Sequence, residues 1–239
     1  MVAVTVRHDL APTGVLRVSI NLGNPVLVQG DAAAPTGVTV DIAGEVAGRL
    51  GVPLQLHCFP SARHSFESME RGLSDLCFLA VDPARQRSVA FTAPYAVIEG
   101  AFAVPLASPI VATGDVDRAG VRIAVTSGSA YDLHLSRTLQ HASVVRGDEA
   151  VAIFLEHHLE VVAGIRGPMA QLAAHRGDLR LLQPSFMDIH QAVGTPADRS
   201  ADAVRFLARL VEQLKASGFV AEALRRSGRA DVAVAGPAG

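Results

Sequence analysis

The sequence predicts an α/β protein of two lobes, and three observations carry this. From about residue 15, short apolar runs alternate with segments of helical period. The alternation is completed once by about residue 81 and repeats between about 121 and 183. Between the two sets the chain crosses near 101–108, and it returns near 189–195. Strand–helix alternation predicts a parallel sheet with helices on both faces. Right-handed crossovers then gather the strand C-termini on one edge, where ligands bind. Two crossings make a hinge, and two facing lobes a cleft. The expected division is 1–104 with 190–239 for the first lobe and 105–189 for the second.

Each element follows from its local pattern. Residues 15–22 (VLRVSINL) read as a strand, followed by a turn-rich stretch with Gly23, Pro25, Gly30, Asp31 and Pro35. Residues 37–50 start extended and become a helix, with Ile42, Val46 and Leu50 at helical spacing and Gly51 at the stop. Strands are expected at 53–59 and 76–81, with a helix at 62–72 between them. The second set has strands at 101–105, 121–125, 142–146, 159–165 and 179–183, and helices at 129–139, 148–158 and 168–175. An extended return covers 189–195. The helix at 200–216 carries Val204, Leu207, Val211 and Leu214 on one stripe, and a shorter helix follows at 220–226. The Gly/Ala/Pro-rich tail from 228 is expected to fray.

Composition excludes several functions. The chain has 239 residues, 49% apolar, with a net charge of −2 and both signs mixed along it. That is globular, with no basic block for nucleic acid. The absence of Trp and the presence of only two Tyr leave no stacking platform for bases. Cys58 and Cys77 each lie in an apolar run, fit no zinc spacing and read as free thiols. The histidines give no HxxxH pair: His157 and His158 are adjacent, and His134 and His141 lie about two turns apart. No metal and no cofactor is expected. No apolar run is long enough to span a membrane. Residues 1–14 are too short and too interrupted by Arg7, His8 and Asp9 to form a signal core, so the expectation is a cytoplasmic protein, or a periplasmic one whose leader has been removed.

The candidate site begins at residues 75–95, DLCFLAVDPARQRSVAFTAPY. An apolar strand ends in Asp-Pro and hands over to a short turn bearing Arg85. Guanidinium is a planar, permanently charged fork that matches a carboxylate bidentately, so a strand-end arginine suits capture of a small carboxylate. An exposed arginine near a helix start is the plainer alternative. In the second lobe, Ser127, Gly128 and Ser129 open a helix straight after a strand. Their outward N–H groups and the helix dipole favour an anion there, and Ser127 or Ser129 can also cap the helix.

Taken together these segments resemble the family 3 solute-binding proteins, the polar amino-acid type of periplasmic binding protein, over about residues 14–228. The residues that carry the resemblance are Gly14-Val-Leu-Arg-Val18, Pro35-Thr-Gly-Val-Thr-Val-Asp-Ile42, the 75–95 stretch, Val125-Thr-Ser-Gly-Ser129 and Gly218 through Gly228 with Leu224 and Arg226. The resemblance implies a type 2 periplasmic-binding fold with its ligand cleft between lobes, and places the carboxylate-binding residue at Arg85. It also exposes departures. The strand-end acid that usually holds a ligand ammonium is absent from residues 159–166, where Ile165 and Arg166 stand instead. Phe78, Leu79 and Ala80 fill the space where small or hydroxylic residues are usual. Asn21 and Asn24 replace an aromatic cover and offer neutral hydrogen bonds. Burying an ammonium without an anionic partner is costly.

The expected function is therefore a solute-binding protein of the ABC-transporter type, taking a small organic carboxylate rather than an ordinary zwitterionic amino acid by hinge closure. Contacts are expected from Arg85, Asn21, Asn24, Phe78, Ala80, Ser127, Gly128, Ser129, Ile165 and Arg166. Arg166 suits either a second carboxylate contact or a helix-start surface position. The expected partners are the ligand and an ABC permease, with the chain a monomer or weak homodimer and neither nucleic acid nor membrane engaged. The alternative is an enzyme on the same scaffold, such as a lyase resembling cyclohexadienyl dehydratase, with Glu99 or Asp82 as general acid.

Overall fold

The structure is a computed structural model and describes residues 2–238. In chain order it runs α1 (Val4–Leu10), β1 (Leu16–Asn21), α2 (Val38–Leu50), β2 (Leu54–Phe59), α3 (Ala62–Glu70), β3 (Leu76–Ala80), β4 (Val89–Phe91) and β5 (Ala96–Pro105). It continues through β6 (Arg122–Thr126), α4 (Ala130–Thr138), β7 (Ser143–Gly147), α5 (Ala150–Glu156), β8 (Val161–Ile165), α6 (Arg166–Arg176), β9 (Leu179–Leu181) and β10 (Met187–Pro196). The chain ends with α7 (Ala201–Ala216), α8 (Phe219–Arg226) and β11 (Ala233–Val234). Two compact units result: the first is the chain up to Val97 and from His190 onward, and the second is Ile98–Ile189.

In the first unit β1 lies between β2 and β3, parallel to both, with Leu16 opposite Leu54 and Val18 opposite Leu76. β10 joins antiparallel, Gln191 facing Ala80 and Gly194 facing Cys77, and β4 pairs with its far end. Beneath this sheet α2 buries Val38, Ile42, Val46 and Leu50, and α7 buries Leu207, Leu210, Val211 and Leu214. In the second unit β6 lies between β7 and β8, all parallel, and β5 adds antiparallel to β8 with Gly100 opposite Ile165. One core there joins Phe102, Ile123, Val125, Val161 and Leu182; another joins Ala124, Phe154, Val162 and Met169.

Two sequence expectations are corrected, and one element is added. Residues 38–40 do not begin extended. Gly37, at φ 115°, turns the chain, and the β-branched Val38-Thr39-Val40 enters the helix at once because burial outweighs strand propensity. Thr39 is buried there and donates its hydroxyl to the carbonyl of Leu27 at 3.2 Å. The tail does not simply fray: Ala233 and Val234 pair with Val97 and Ala96, and Lys215 donates to the carbonyl oxygens of Pro94 and Gly236 at 3.1 and 2.7 Å. The N-terminal stretch, to which the sequence assigns no element, forms α1, which buries Val6 and Leu10 and whose Asp9 carboxylate accepts the N–H of Ser200 at the entry to α7.

Both cysteines are free. Cys58 pairs beside Ile20 and Cys77 beside Ser19, on opposite sides of β1. That separation is two strand spacings, roughly 10 Å, beyond a disulfide's reach. Burial pushes the Cys77 thiol up to about 12.

Candidate functional site

The parallel strands of each unit end on one edge. In the first unit that edge carries Asn21, Phe59 and Ala80. β3 is buried along its whole length, so the chain leaves it through the Asp82-Pro83 turn. Asp82 takes the capping role: its Oδ1 accepts the N–H of Ala84 at 2.8 Å, and its carbonyl accepts those of Arg85 and Gln86. Arg85 opens a 3-10 turn over Arg85–Arg87 and is only 2% exposed, so the exposed alternative is set aside. Its Nη1 donates to the carbonyl of Ala80 at 3.0 Å. Burial pulls its pKa below the ordinary guanidinium value, against the opposing charge of Asp82. A buried cation of this kind is stabilised by an arriving carboxylate.

The neighbouring candidates divide. Asn21 Oδ1 accepts the N–H of Gly23 at 3.0 Å, and Asn24 Oδ1 accepts that of Val26 at 3.3 Å. Both carbonyl ends therefore hold the local turn, and only the amide NH2 ends lack a protein partner among the described residues. Phe78 is buried and packs edge-on against Tyr95, ring centroids 6.0 Å apart. Ala80 is buried and contributes its carbonyl to Arg85. Gln191, facing Ala80 on β10, is a buried amide that sequence reasoning does not select; a polar residue inside an apolar strand is the signal that marks it.

In the second unit the edge carries the Ser127–Ser129 turn, Gly147 and Ile165. The expectation of unsatisfied N–H groups at this turn is corrected. Ser127 N–H donates to Gly147 O at 2.8 Å, Ser129 N–H to Thr126 O at 3.1 Å, and Gly128 N–H to Asp132 Oδ2 at 2.8 Å. Ser129 is the N-cap, its Oγ accepting from the N–H of Asp132 at 3.1 Å. Asp132, nearly buried, occupies the place of the anion, and Arg146 Nε holds its other oxygen at 2.9 Å. The spacing Ser129-x-x-Asp132 is the sequence signal for this carboxylate.

Ile165 caps α6 without a side-chain hydrogen bond, and Arg166 is its first residue. Arg166 is half-exposed, pairs through Nε with Glu99 Oε2 at 3.2 Å, and donates from Nη1 to Ser185 Oγ at 3.0 Å and Gln183 Oε1 at 3.2 Å. The missing acid at the β8 end is thus supplied from the neighbouring strand β5, already neutralised by the arginine. Among the described residues no three His, Cys, Asp or Glu side chains converge to hold a metal, and no helix is long and apolar enough to cross a membrane.

An open groove of about 760 Å³ in the first unit is lined by Val6, Arg49, Arg205, Phe206, Arg209 and Leu210. Arg49 lies in the last turn of α2, the end remote from the strand C-termini, so this groove is separate from the edge that carries Arg85.

The chain belongs to the bacterial extracellular solute-binding proteins, family 3, whose profile matches residues 16–230. Proteins of this family are the ligand-binding components of ABC transporters for small molecules. A search of curated protein sequences finds no match. Among solved structures, the chain is similar to a mutant of ArgBP from T. maritima, with TM-score 0.76 and 21% identity over 93% of this chain and 99% of that one. It is also similar to the cysteine-binding protein of Campylobacter jejuni, with TM-score 0.78 and 16% identity over 98% and 100%. A third likeness is to the ancestral amino-acid-binding protein AncCDT-1, described as a precursor of cyclohexadienyl dehydratase, with TM-score 0.74 and 16% identity over 93% and 98%. At these identities the likenesses establish the type 2 periplasmic-binding fold.

Proposed function

We propose that this solute-binding protein captures a small organic carboxylate that lacks an α-ammonium. One observation carries the reading: two acids at the second unit's strand edge, one of them beside the end of β8, are committed to arginines, Glu99 to Arg166 and Asp132 to Arg146. Neither of these two carboxylates is left for a ligand cation, and the first unit's strand edge, which carries Asn21 at the end of β1, has the buried cation Arg85 beside it. Capture by closure about the two crossings, delivery to an ABC permease and an extracytoplasmic working place belong to the same proposal and are supported by the family. The enzyme alternative draws no support from its two candidate acids: Asp82 caps the Arg85 turn, and Glu99 is held by Arg166 and Ser185.

Thermal unfolding against α-amino acids paired with their keto, hydroxy and deamino analogues tests this. An amine-free acid at 100 times its Kd should stabilise the protein by about 2.7 kcal/mol, a rise of a few degrees. Arg85→Lys, which keeps the charge and loses the fork, should cancel most of that rise while the unliganded protein still folds. Stabilisation by free amino acids alone, as the names of the arginine- and cysteine-binding relatives would suggest, overturns the reading. A fall in radius of gyration on binding is the expected sign of closure.

A further inference from the structure

We propose that the Glu99–Arg166 pair reads a neutral polar group on the ligand, a hydroxyl or a carboxamide, and discriminates against both a second carboxylate and an ammonium. This rests on the carboxylate reading above and names the ligand class further. The pair is built by register. β5 runs antiparallel to β8 with Gly100 opposite Ile165, so the next residue outward on each strand, Glu99 and Arg166, meets its partner at the C-terminal edge of β8. There Arg166 is fixed at three points: Nε on Glu99 Oε2, and Nη1 on both Ser185 Oγ and Gln183 Oε1. Ser185 closes the ring by donating to Glu99 Oε2 at 3.1 Å.

Two groups are left over. Among the described residues, neither Nη2 of Arg166 nor Oε1 of Glu99 has a protein partner, and the side chains are 37% and 48% exposed. The cluster therefore presents a donor and an acceptor side by side, with a net charge of zero. A ligand carboxylate drawn to Nη2 is repelled by Glu99 at nearly the same distance, and an ammonium drawn to Oε1 is repelled by Arg166. Coulomb terms of equal size and opposite sign leave little for either ion to gain against its desolvation. A hydroxyl or carboxamide can accept from Nη2 and donate to Oε1 without bringing a charge. The pair is also held shut by the helix behind it. Arg166 is the first residue of α6, where the macrodipole disfavours a cation, and Glu99 offsets both.

The test uses four acids that share one carboxylate and a four-carbon skeleton and differ at the far end: succinate, succinamate, 4-hydroxybutanoate and 4-aminobutanoate, with their three- and five-carbon counterparts. Calorimetric titration of the wild type should favour the amide and the alcohol over the diacid and the amine by about tenfold. Glu99→Gln releases Arg166 and should move the preference to the diacid by at least that factor. Arg166→Gln releases Glu99 and should raise the amine instead. Both side chains are more than a third exposed, so the variants should unfold within a degree or two of the wild type. If the wild type binds these acids but both variants keep its order, or if the wild type prefers the diacid or the amine, the proposal is overturned while the carboxylate reading survives. Silence of the wild type at every chain length, with an amine-free acid of the wider panel still stabilising it, overturns this proposal alone; silence toward both panels overturns both.

Discussion

At the scale of the residue, charge placement separates scaffold from site. Asp75 is fully buried and accepts Arg17 Nε and Nη2 at 3.0 and 2.7 Å, the N–H of Arg17 at 3.0 Å, and Arg199 Nη2 at 3.4 Å. It ties the start of β1 to the start of β3 and to the entry of α7. Asp75→Asn leaves two arginines facing a neutral amide and should destabilise the protein by about 3 kcal/mol, read as a lower urea midpoint at unchanged slope. Arg85 sits in a different setting: a buried guanidinium whose Nη1 donates to the carbonyl of Ala80, beside the charge of Asp82. Its position could be read from the sequence because a strand end, a proline turn and an arginine follow one another without a gap. The Glu99–Arg166 pair could not, because it depends on the register between β5 and β8, strands far apart in the chain.

At the scale of the element, backbone conformation decides where helices start. Gly37 sits at φ 115°, and a Cβ there would stand 2.5 Å from the carbonyl oxygen of Leu27. Gly37→Ala should therefore cost about 1–3 kcal/mol, visible as a lower thermal midpoint, with the strain falling on the first turn of α2. Most elements were legible within two residues, since apolar period and glycine stops are local signals: Gly51 and Gly218 end their helices in the left-handed region where the sequence places them. What stays hidden is tertiary. α1 has only Val6 and Leu10 to mark it, and β5 starts five residues earlier than its apolar core suggests because pairing carries it through Glu99 and Gly100. The Ser127–Ser129 turn shows the same limit. A strand-to-helix turn reads as open to an anion until Asp132, one turn on, is seen to fill it.

At the scale of the whole molecule, the lowered carboxylates are shared unequally between the two units. Asp117 accepts the N–H groups of Gln140, His141 and Ala142, and Glu160 is gripped by Arg122; both are held below their ordinary values of 3.8 and 4.5. Asp178 is lowered likewise by Arg176. All three lie in the second unit, whereas in the first unit only Glu222, on α8, is lowered among the described residues. A depressed carboxylate stabilises the fold above its unfolded pKa, and that contribution is lost as pH falls through the folded value. As pH falls from about 4.5 towards 3 the second unit should therefore lose amide-exchange protection; unchanged protection there would contradict this distribution of charge. The division of the chain has one more consequence. The second unit is a single uninterrupted stretch, and the N–H of Phe186 bonds to the carbonyl of Gly100, bringing its beginning and end together. The first unit needs β10 to extend the sheet begun with β1, and α7 and α8 to complete its core. During synthesis the inserted stretch can thus reach its native pairing while the earlier strands still wait for partners not yet translated, so the part of the gene read first encodes the part of the molecule finished last.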